Sequence, residues 1–387
     1  VQGRRLAERY LRAFDEAYKA DTNPLAALRD IAQLEALGAD AYRVDLLNAP
    51  EDWRGEASTL VKIYHHGRSL VLSEVLPMLE NLGFRVLEQI SYAADWPEAV
   101  LGIDIFRVRD RQNRVIEVRE HGERLTEALL ALLGGGAESD RLNQLVLYGG
   151  LSVRQVALLR AYQMYYAQLN AVTSRSFIND TLLHHPNIAG LLYAAFAARF
   201  NPRFDGDRDA AFDGIKSDLL DALNAVSSLP EDTTLRGLFN LIEASVRSNY
   251  FLGRETISFK LESRRVAQMP EPRPLFEIAV SGLGVEGAHL RGGRVARGGI
   301  RWSDRPDDFR TEVLGLMKTQ MTKNAVIVPV GSKGGFVLKG APEDREALRA
   351  YVQQQYRAFI RGLLDLTDTL EGARVVHPAE LVIYDED

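Results

Sequence analysis

The sequence predicts an α+β multidomain protein: a small α/β sandwich, an all-helical region, and the start of an α/β domain with a mostly parallel sheet. Three observations predict it. The 387 residues exceed the usual size of one domain. The hydrophobic patterning changes character at about residues 41, 119 and 256, which divides the chain into segments 1–40, 41–118, 119–255 and 256–387. Beyond 256, strand-like runs alternate with helical ones, the order that builds parallel sheets.

Residues 1–40 read as a helical segment broken at Asn23-Pro24, whose second half, LAALRDIAQLEAL, spaces its apolar residues for one helix face. In 41–118, YRVDLL and TLVKIYHH read as strands, SLVLSEVLPMLENLG as an amphipathic helix closed by glycine, and FRVLEQISYAA and AVLGIDIFRV as strands again. This β-α-β-β order resembles the ACT regulatory module, and the resemblance implies a sensor that takes an amino-acid effector. The alternative is a purely structural sandwich, since the turn HHGRS has no diagnostic ligand pattern. From 119 to 255 the runs are helical, punctuated by glycines at 134–136, His185-Pro186, Asn201-Pro202 and Leu229-Pro230. Tyr162, Tyr165 and Tyr166 fall at helical spacing there and read as core. From 256, TISFKLE and LFEIAVS are strands, a glycine-dense stretch follows, and a helix runs over about 307–322. A buried strand AVIVPV, a turn GSKGG, a strand FVLK and a helix over about 343–369 complete the chain.

Composition excludes several classes. Hydrophobic residues at 46% and charged residues at 26% describe a globular chain, and a net charge of −6 is wrong for a general nucleic-acid binder. Cysteine is absent, which removes disulfides, thiolate metal sites and cysteine nucleophiles. The seven histidines form no H-E-x-x-H pair, so no metal is expected. No G-x-S-x-G nucleophile motif occurs. No apolar run reaches the roughly 18–20 residues of a membrane span. VQGRRLAERY is not a signal peptide, so the expected compartment is the cytoplasm.

Gly282, Gly284 and Gly287 spell G-x-G-x-x-G after a strand, but the following AHLRGGRVARGG cannot open a helix. The match reads as a decoy. GSKGG does not fit a P-loop either. Basic residues are sharper evidence: of 47, only eight are Lys, and four of those (Lys318, Lys323, Lys333, Lys339) lie within 22 residues. Lysine, unlike arginine, can exchange its proton in a protein. Glycine pairs at 298–299 and 334–335 suit close backbone approach to a ligand, and Arg297, Lys323 and Lys333 could converge at the ends of parallel strands. A dicarboxylate would suit three such cations. Lys333, between two apolar strands, is expected to be the most desolvated.

This stretch, residues 295–339, resembles the glutamate dehydrogenase family, most closely its large NAD-specific class, with likeness near-continuous over about 245–340. The first family signature, Lys-Gly-Gly-[Ile/Leu]-Arg, is here Arg297-Gly298-Gly299-Ile300-Arg301, with Arg in place of the Lys that holds the substrate side-chain carboxylate. The resemblance gives Lys323, in MTKNAV, the α-carboxylate, and gives Lys333, in PVGSKGG, the catalytic role, with one glycine fewer than the family pattern. It also implies oxidative deamination of L-glutamate to 2-oxoglutarate and ammonium, NAD as cofactor of the full-length protein, and a homo-oligomer. The family's catalytic Asp and nucleotide-binding domain are not found before Asp387. The chain is therefore expected to be an internal fragment that binds no cofactor and completes no turnover by itself. The rival reading is a non-catalytic amino-acid-sensing and oligomerisation module.

Overall fold

The computed structural model describes residues 2–38, 41–49, 57–67, 69–95, 99–169, 173–293, 297–323, 331–372, 374–378 and 380–385, with backbone alone for 2–5, 7 and 321–323. The chain divides into two compact units, Val1–Val156 and Ala157–Asp387. The expected strand AVIVPV lies in 325–330, outside the described residues.

The first unit opens with helices α1 (Gln2–Ala13), α2 (Glu16–Asp21) and α3 (Pro24–Leu37). Asn23 caps α3 by accepting from the Leu25 and Ala26 N–H groups, and Pro24 fills the first helical position, where no N–H is needed. Strands β1 (Tyr42–Ala49), β2 (Ser58–His66), β3 (Phe84–Asp95) and β4 (Val100–Asp110) follow, with α4 (Leu72–Asn81) between β2 and β3. They form a sheet in the order β1-β2-β4-β3, with every pairing antiparallel. Tyr10, Tyr18 and Leu34 of the helices, with Phe14 from the link between α1 and α2, pack against Tyr64, Tyr92 and Ile103 of the sheet. Within that apolar layer Asp30 is fully buried, accepting from Lys62 Nζ (2.7 Å), Tyr64 Oη (2.7 Å) and Tyr18 Oη (2.8 Å). α4 packs along β3, and α5 (Val118–Leu133) along β1; α6 (Leu145–Tyr148) precedes the division.

The second unit contains most of α7 (Val153–Leu169), then α8 (Arg175–His184), α9 (Pro186–Phe200), α10 (Arg208–Asn224) and α11 (Leu229–Ala244). Strands β5 (Ser245–Ser248), β6 (Ile257–Glu262), β7 (Phe276–Ser281), β8 (Val285–Arg291), β9 (Ile300–Trp302) and β10 (Ser332–Leu338) form a sheet ordered β5-β6-β7-β8-β10-β9. Helix α12 (Phe309–Lys323) joins β9 to β10, and α13 (Arg345–Leu364) follows, with a small hairpin of β11 (Thr369–Glu371) and β12 (Arg374–Val376). α13 covers one face, Phe359 and Leu363 meeting Ile278, Val280 and Phe336. α7 and α12 cover the other: Tyr162 stacks on Phe259 at 4.1 Å, and Arg310 reaches Glu277.

The α+β reading of the chain holds, but the mostly parallel sheet does not. Among the described residues of this sheet, β9 and β10, with the Arg297–Gly331 bridge beside them, pair in parallel, and the other pairings are antiparallel. The reason is connection length. Three residues link β7 to β8, which permits a hairpin and nothing else, whereas α12 supplies the crossover that a parallel pair needs. The glycine-dense stretch conceals β8, and part of the expected turn GSKGG is strand, because β10 begins at Ser332.

In the first unit, Asp104 is buried and accepts from His65 Nε2 (2.7 Å), Gln89 Nε2 (2.7 Å), the Leu70 N–H (3.0 Å) and Ser91 Oγ. Burial opposes its ionisation, yet the donors from His65, Ser91, Leu70 and Gln89 outweigh burial and hold its carboxyl below the usual range. A depressed carboxyl stabilises the fold above its unfolded pKa of about 3.9, and the gain disappears as pH falls through the folded value. Asp104→Asn should therefore cost about 1–3 kcal/mol at neutral pH and flatten the loss of stability below about pH 4. Urea unfolding across that range reads both; identical acid limbs for the two proteins would refute the assignment.

Candidate functional site

The residues singled out at 297–301 and 332–335 are distant in sequence and adjacent in space. Arg297 bridges Gly331 in parallel, and the ladder continues through Gly334 opposite Ile300 and Gly335 opposite Arg301. The Ser332 N–H donates to the Arg297 carbonyl at 3.0 Å, and the Gly334 N–H to the Gly299 carbonyl at 3.1 Å. Lys333 thus lies beside Gly299, close enough that a Cβ added at Gly299 would stand 3.9 Å from its Nζ. Lys333 is half-buried, and Arg297, Gly298 and Gly299 are exposed. Lys323 is the last residue of α12, and its side chain lies outside the described residues; Arg297 and Lys333 lie on adjoining segments of the ladder.

The glycines serve a purpose different from the one expected. A Cβ at Gly298 would fall 1.5 Å from the Ser332 carbonyl oxygen, and one at Gly335 would fall 2.4 Å from Val313 Cγ2 on α12. With the Gly334 N–H already bonded to Gly299, these residues let a strand and a helix approach the backbone closely; they do not leave N–H groups open for a ligand.

Charges around the strand ends are arranged by pairing. Arg301 Nε meets Glu312 Oε1 at 2.9 Å, and Ser303 Oγ donates to the same carboxylate at 2.6 Å. Among the described residues, neither Arg297 nor Lys333 has a carboxylate partner. On β8, burial and the neighbouring Arg291 lower the His289 imidazole to about 4, so it is neutral at physiological pH. Deeper in the sheet, Glu277 takes Arg310 Nε (2.8 Å) and Tyr165 Oη (2.6 Å), all fully or nearly fully buried. The backbone N–H of Arg310 donates to Gln168 Oε1 at 3.1 Å, and Gln168 Nε2 donates to the Pro306 carbonyl at 2.9 Å. Sequence reasoning missed this group. Its one trace in the sequence was an acid in the middle of the apolar run LFEIAVS.

The dinucleotide-like glycines do not form a phosphate cradle. Gly282 and Gly284 make the β7–β8 hairpin, and no helix follows. A Cβ at Gly284 would lie 2.5 Å from Tyr351 Oη, and one at Gly287 would lie 2.4 Å from Phe359 Cε2, so both admit α13. Among the described residues no group of histidines and carboxylates could hold a metal ion, and no helix is long and apolar enough to cross a membrane.

A half-buried amine on β10 next to the Gly299 backbone, with Arg297 on the adjoining segment, is an arrangement whose groups can bind a carboxylate or exchange a proton. Comparison with known proteins identifies the family. Four consecutive family models match: glutamate dehydrogenase helical motif 2 (1–37), its ACT3 domain (41–120), its helical motif 3 (137–202), and the bacterial NAD-glutamate dehydrogenase catalytic domain (218–387). The NAD-specific glutamate dehydrogenase of Halomonas elongata is 39% identical over 390 residues, covering 99% of this chain and 24% of that protein. That of Mycobacterium tuberculosis is 40% identical over 408 residues, covering 98% and 25%. That of Pseudomonas aeruginosa is 38% identical over 399 residues, covering 100% and 25%. The chain belongs to the NAD-specific glutamate dehydrogenase family, and it spans about a quarter of the length of these relatives.

The packing of α12 on β10 sets where the site residues lie, and it can be tested directly. Gly335→Ala should destabilise the chain by about 1–3 kcal/mol through overpacking against Val313. Adding Val313→Ala should recover part of that loss, because the second change vacates the space. Chemical denaturation of the single and double variants measures it; strictly additive losses would show that the contact is not the cause.

Proposed function

We propose that the chain takes part in the NAD-dependent oxidative deamination of L-glutamate to 2-oxoglutarate and ammonium. The observation that carries this reading is the pairing of Arg297–Gly299 with Ser332–Gly334, which holds the Lys333 amine beside a backbone free of side chains. In this reading Arg297 and Lys323 hold the two carboxylates of the substrate, and the open backbone at Gly299, beside the Lys333 amine, admits its carbon chain. Lys333 is the catalytic residue: its amine exchanges a proton with the water that adds at C2 as ammonium leaves. NAD, when bound, would supply the acceptor for the hydride. None of the described glycine turns fits that cofactor, and no residue of this chain is assigned to it.

Arg297 replaces the family Lys with a wider, planar cation. It can still neutralise a carboxylate, and its fork favours two-point contact over a single point charge.

For residues 41–118 we propose an amino-acid effector. A cleft of about 430 Å³ opens on the sheet, with Leu60 and Ile90 on its floor and Asp21, Glu88 and Arg107 among its charges. Both signs of charge beside an apolar floor suit a zwitterion with a side chain.

Two measurements test these readings. In the full-length enzyme, Lys333→Ala should lower kcat by about 10²–10⁴-fold with the fold intact by circular dichroism, while Lys323→Ala should act mainly on KM for glutamate. Near-wild-type kcat in a folded Lys333→Ala enzyme would remove the catalytic assignment. For the effector, an amino acid at a hundredfold excess over its Kd should stabilise the chain by about 2.7 kcal/mol, and Arg107→Ala should reduce that gain. A flat thermal-shift screen over the common amino acids would leave this sheet a structural element.

A further inference from the structure

The cleft on the sheet of the first unit has its charges answered at one end and unanswered at the other. Leu60, Arg107 and Glu88 are register partners across β2, β4 and β3, and Lys62, Ile105 and Ile90 form the next row on the same face. Tyr92 stands one row further on. At the first row Arg107 Nε donates to Glu88 Oε2 at 3.2 Å, and Nη1 donates to Ser58 Oγ at 2.9 Å. Lys62 is committed to the buried Asp30 at 2.7 Å. Both cations of the cleft therefore have a carboxylate already.

Asp21, the last residue of α2, lines the Tyr92 end of the cleft and is exposed. Its Oδ2 accepts from Tyr92 Oη at 2.9 Å, and among the described residues no cation pairs with this carboxylate. Lys19, two residues earlier, pairs with Glu16 at 2.8 Å instead. A carboxylate at a helix C-terminus also meets the negative end of the backbone dipoles. The Tyr92 phenol registers the result. Burial, the bond to Asp21 and the charges of Asp21, Asp15 and Glu88 push it up to about 12. About 13 Å of strand separates Glu88 from Tyr92, and the aliphatic Ile90–Ile105 row lies between them.

We propose that the effector of this cleft is a basic amino acid with a straight aliphatic side chain, its α-carboxylate and α-ammonium on the Arg107–Glu88 pair and its terminal cation on Asp21. This rests on the amino-acid reading of the same cleft and adds the sign of the ligand's net charge. A neutral side chain leaves Asp21 uncompensated, and an acidic one sets a second carboxylate against it. A side-chain ammonium takes Oδ1 in a charge-assisted bond, while Oδ2 keeps its bond from Tyr92.

L-Lysine and L-norleucine share a head group and a four-carbon side chain and differ by the terminal ammonium. Titration calorimetry on the 387-residue chain at low salt should show lysine binding about fivefold more tightly than norleucine. Asp21→Asn, an exposed substitution that can still accept from Tyr92, should bring lysine down to the affinity of norleucine and leave norleucine unchanged. Arg107→Ala should weaken both, because both use the same head group. The proposal is overturned if lysine binds no more tightly than norleucine to the wild-type chain, or if Asp21→Asn weakens the two ligands equally. Either result, with norleucine still bound, would leave the amino-acid reading standing. Failure of every common amino acid to bind would remove both.

Discussion

The architecture of the second unit depends on one buried ion pair. Glu277 sits in the middle strand of an apolar sheet, fully enclosed, where an unpaired carboxylate would cost several kcal/mol. Arg310 from the first turn of α12 answers it, and Tyr165 from α7 donates to the same oxygen that Arg310 Nε reaches. That requirement fixes the start of α12 over β7, while Gln168 grips the helix entrance through Pro306 and the Arg310 N–H. Once the start is fixed, the helix has one course. Val313 comes down on Gly335, and the far end at Lys323 is set by the rise of the helix. The positions of the candidate site residues thus follow from a charge pair that does not itself face the site.

The sequence marked the glycine-bearing segments that the fold pairs more readily than it marked the scaffold. Helical spacing predicted α3, α4 and α12 to within three residues at each end, and α13 to within two at its start and five at its end, because each carries apolar residues at helical spacing. The two glycine-bearing signatures pointed to residues that the fold does pair. Strand direction was illegible, since alternation of strands and helices was weighed without the short link at Gly282–Gly284 that dictates a hairpin. β8 was illegible for a physical reason: VEGAHLR buries Glu286 and has Gly287 where a large side chain would show the pattern, and the volume is supplied by Phe359 from α13. The role of Arg310 could not be read either. One arginine among 39 has no local mark, and its importance arises only when Glu277 is known to be buried.

The substitution at 297 becomes intelligible once the contacts are sorted by backbone and side chain. What ties this position to the neighbouring strand is its carbonyl, which accepts from the Ser332 N–H and from Gln320 Nε2 at 3.2 Å. The side chain is exposed and takes no part in that fastening. A change from Lys to Arg therefore alters the reach and shape of the cation without disturbing the strand edge. The neighbouring glycine has no such latitude, because any Cβ at 298 collides with the Ser332 carbonyl. Tolerance at one residue and intolerance at the next come from the same ladder.

The same sorting explains how positive charge is focused at the strand ends in a chain of net charge −6. Arg301 lies two residues beyond Gly299, yet Glu312 of α12 neutralises it, with Ser303 holding the carboxylate in place. Arg305 is likewise paired with Asp308 within the loop that enters α12. Neighbouring cations are thus consumed locally, and His289 is kept neutral by burial and by Arg291. What remains uncompensated among the described side chains is Arg297 and Lys333, one exposed and one half-buried, on adjoining strands. In the proposed site an incoming anion would meet the charges of two adjoining strands, where unpaired neighbours would spread the attraction along the edge. α12 accounts for this distribution of charge as well as for the geometry, since the carboxylate that neutralises Arg301 lies on the helix anchored by Glu277.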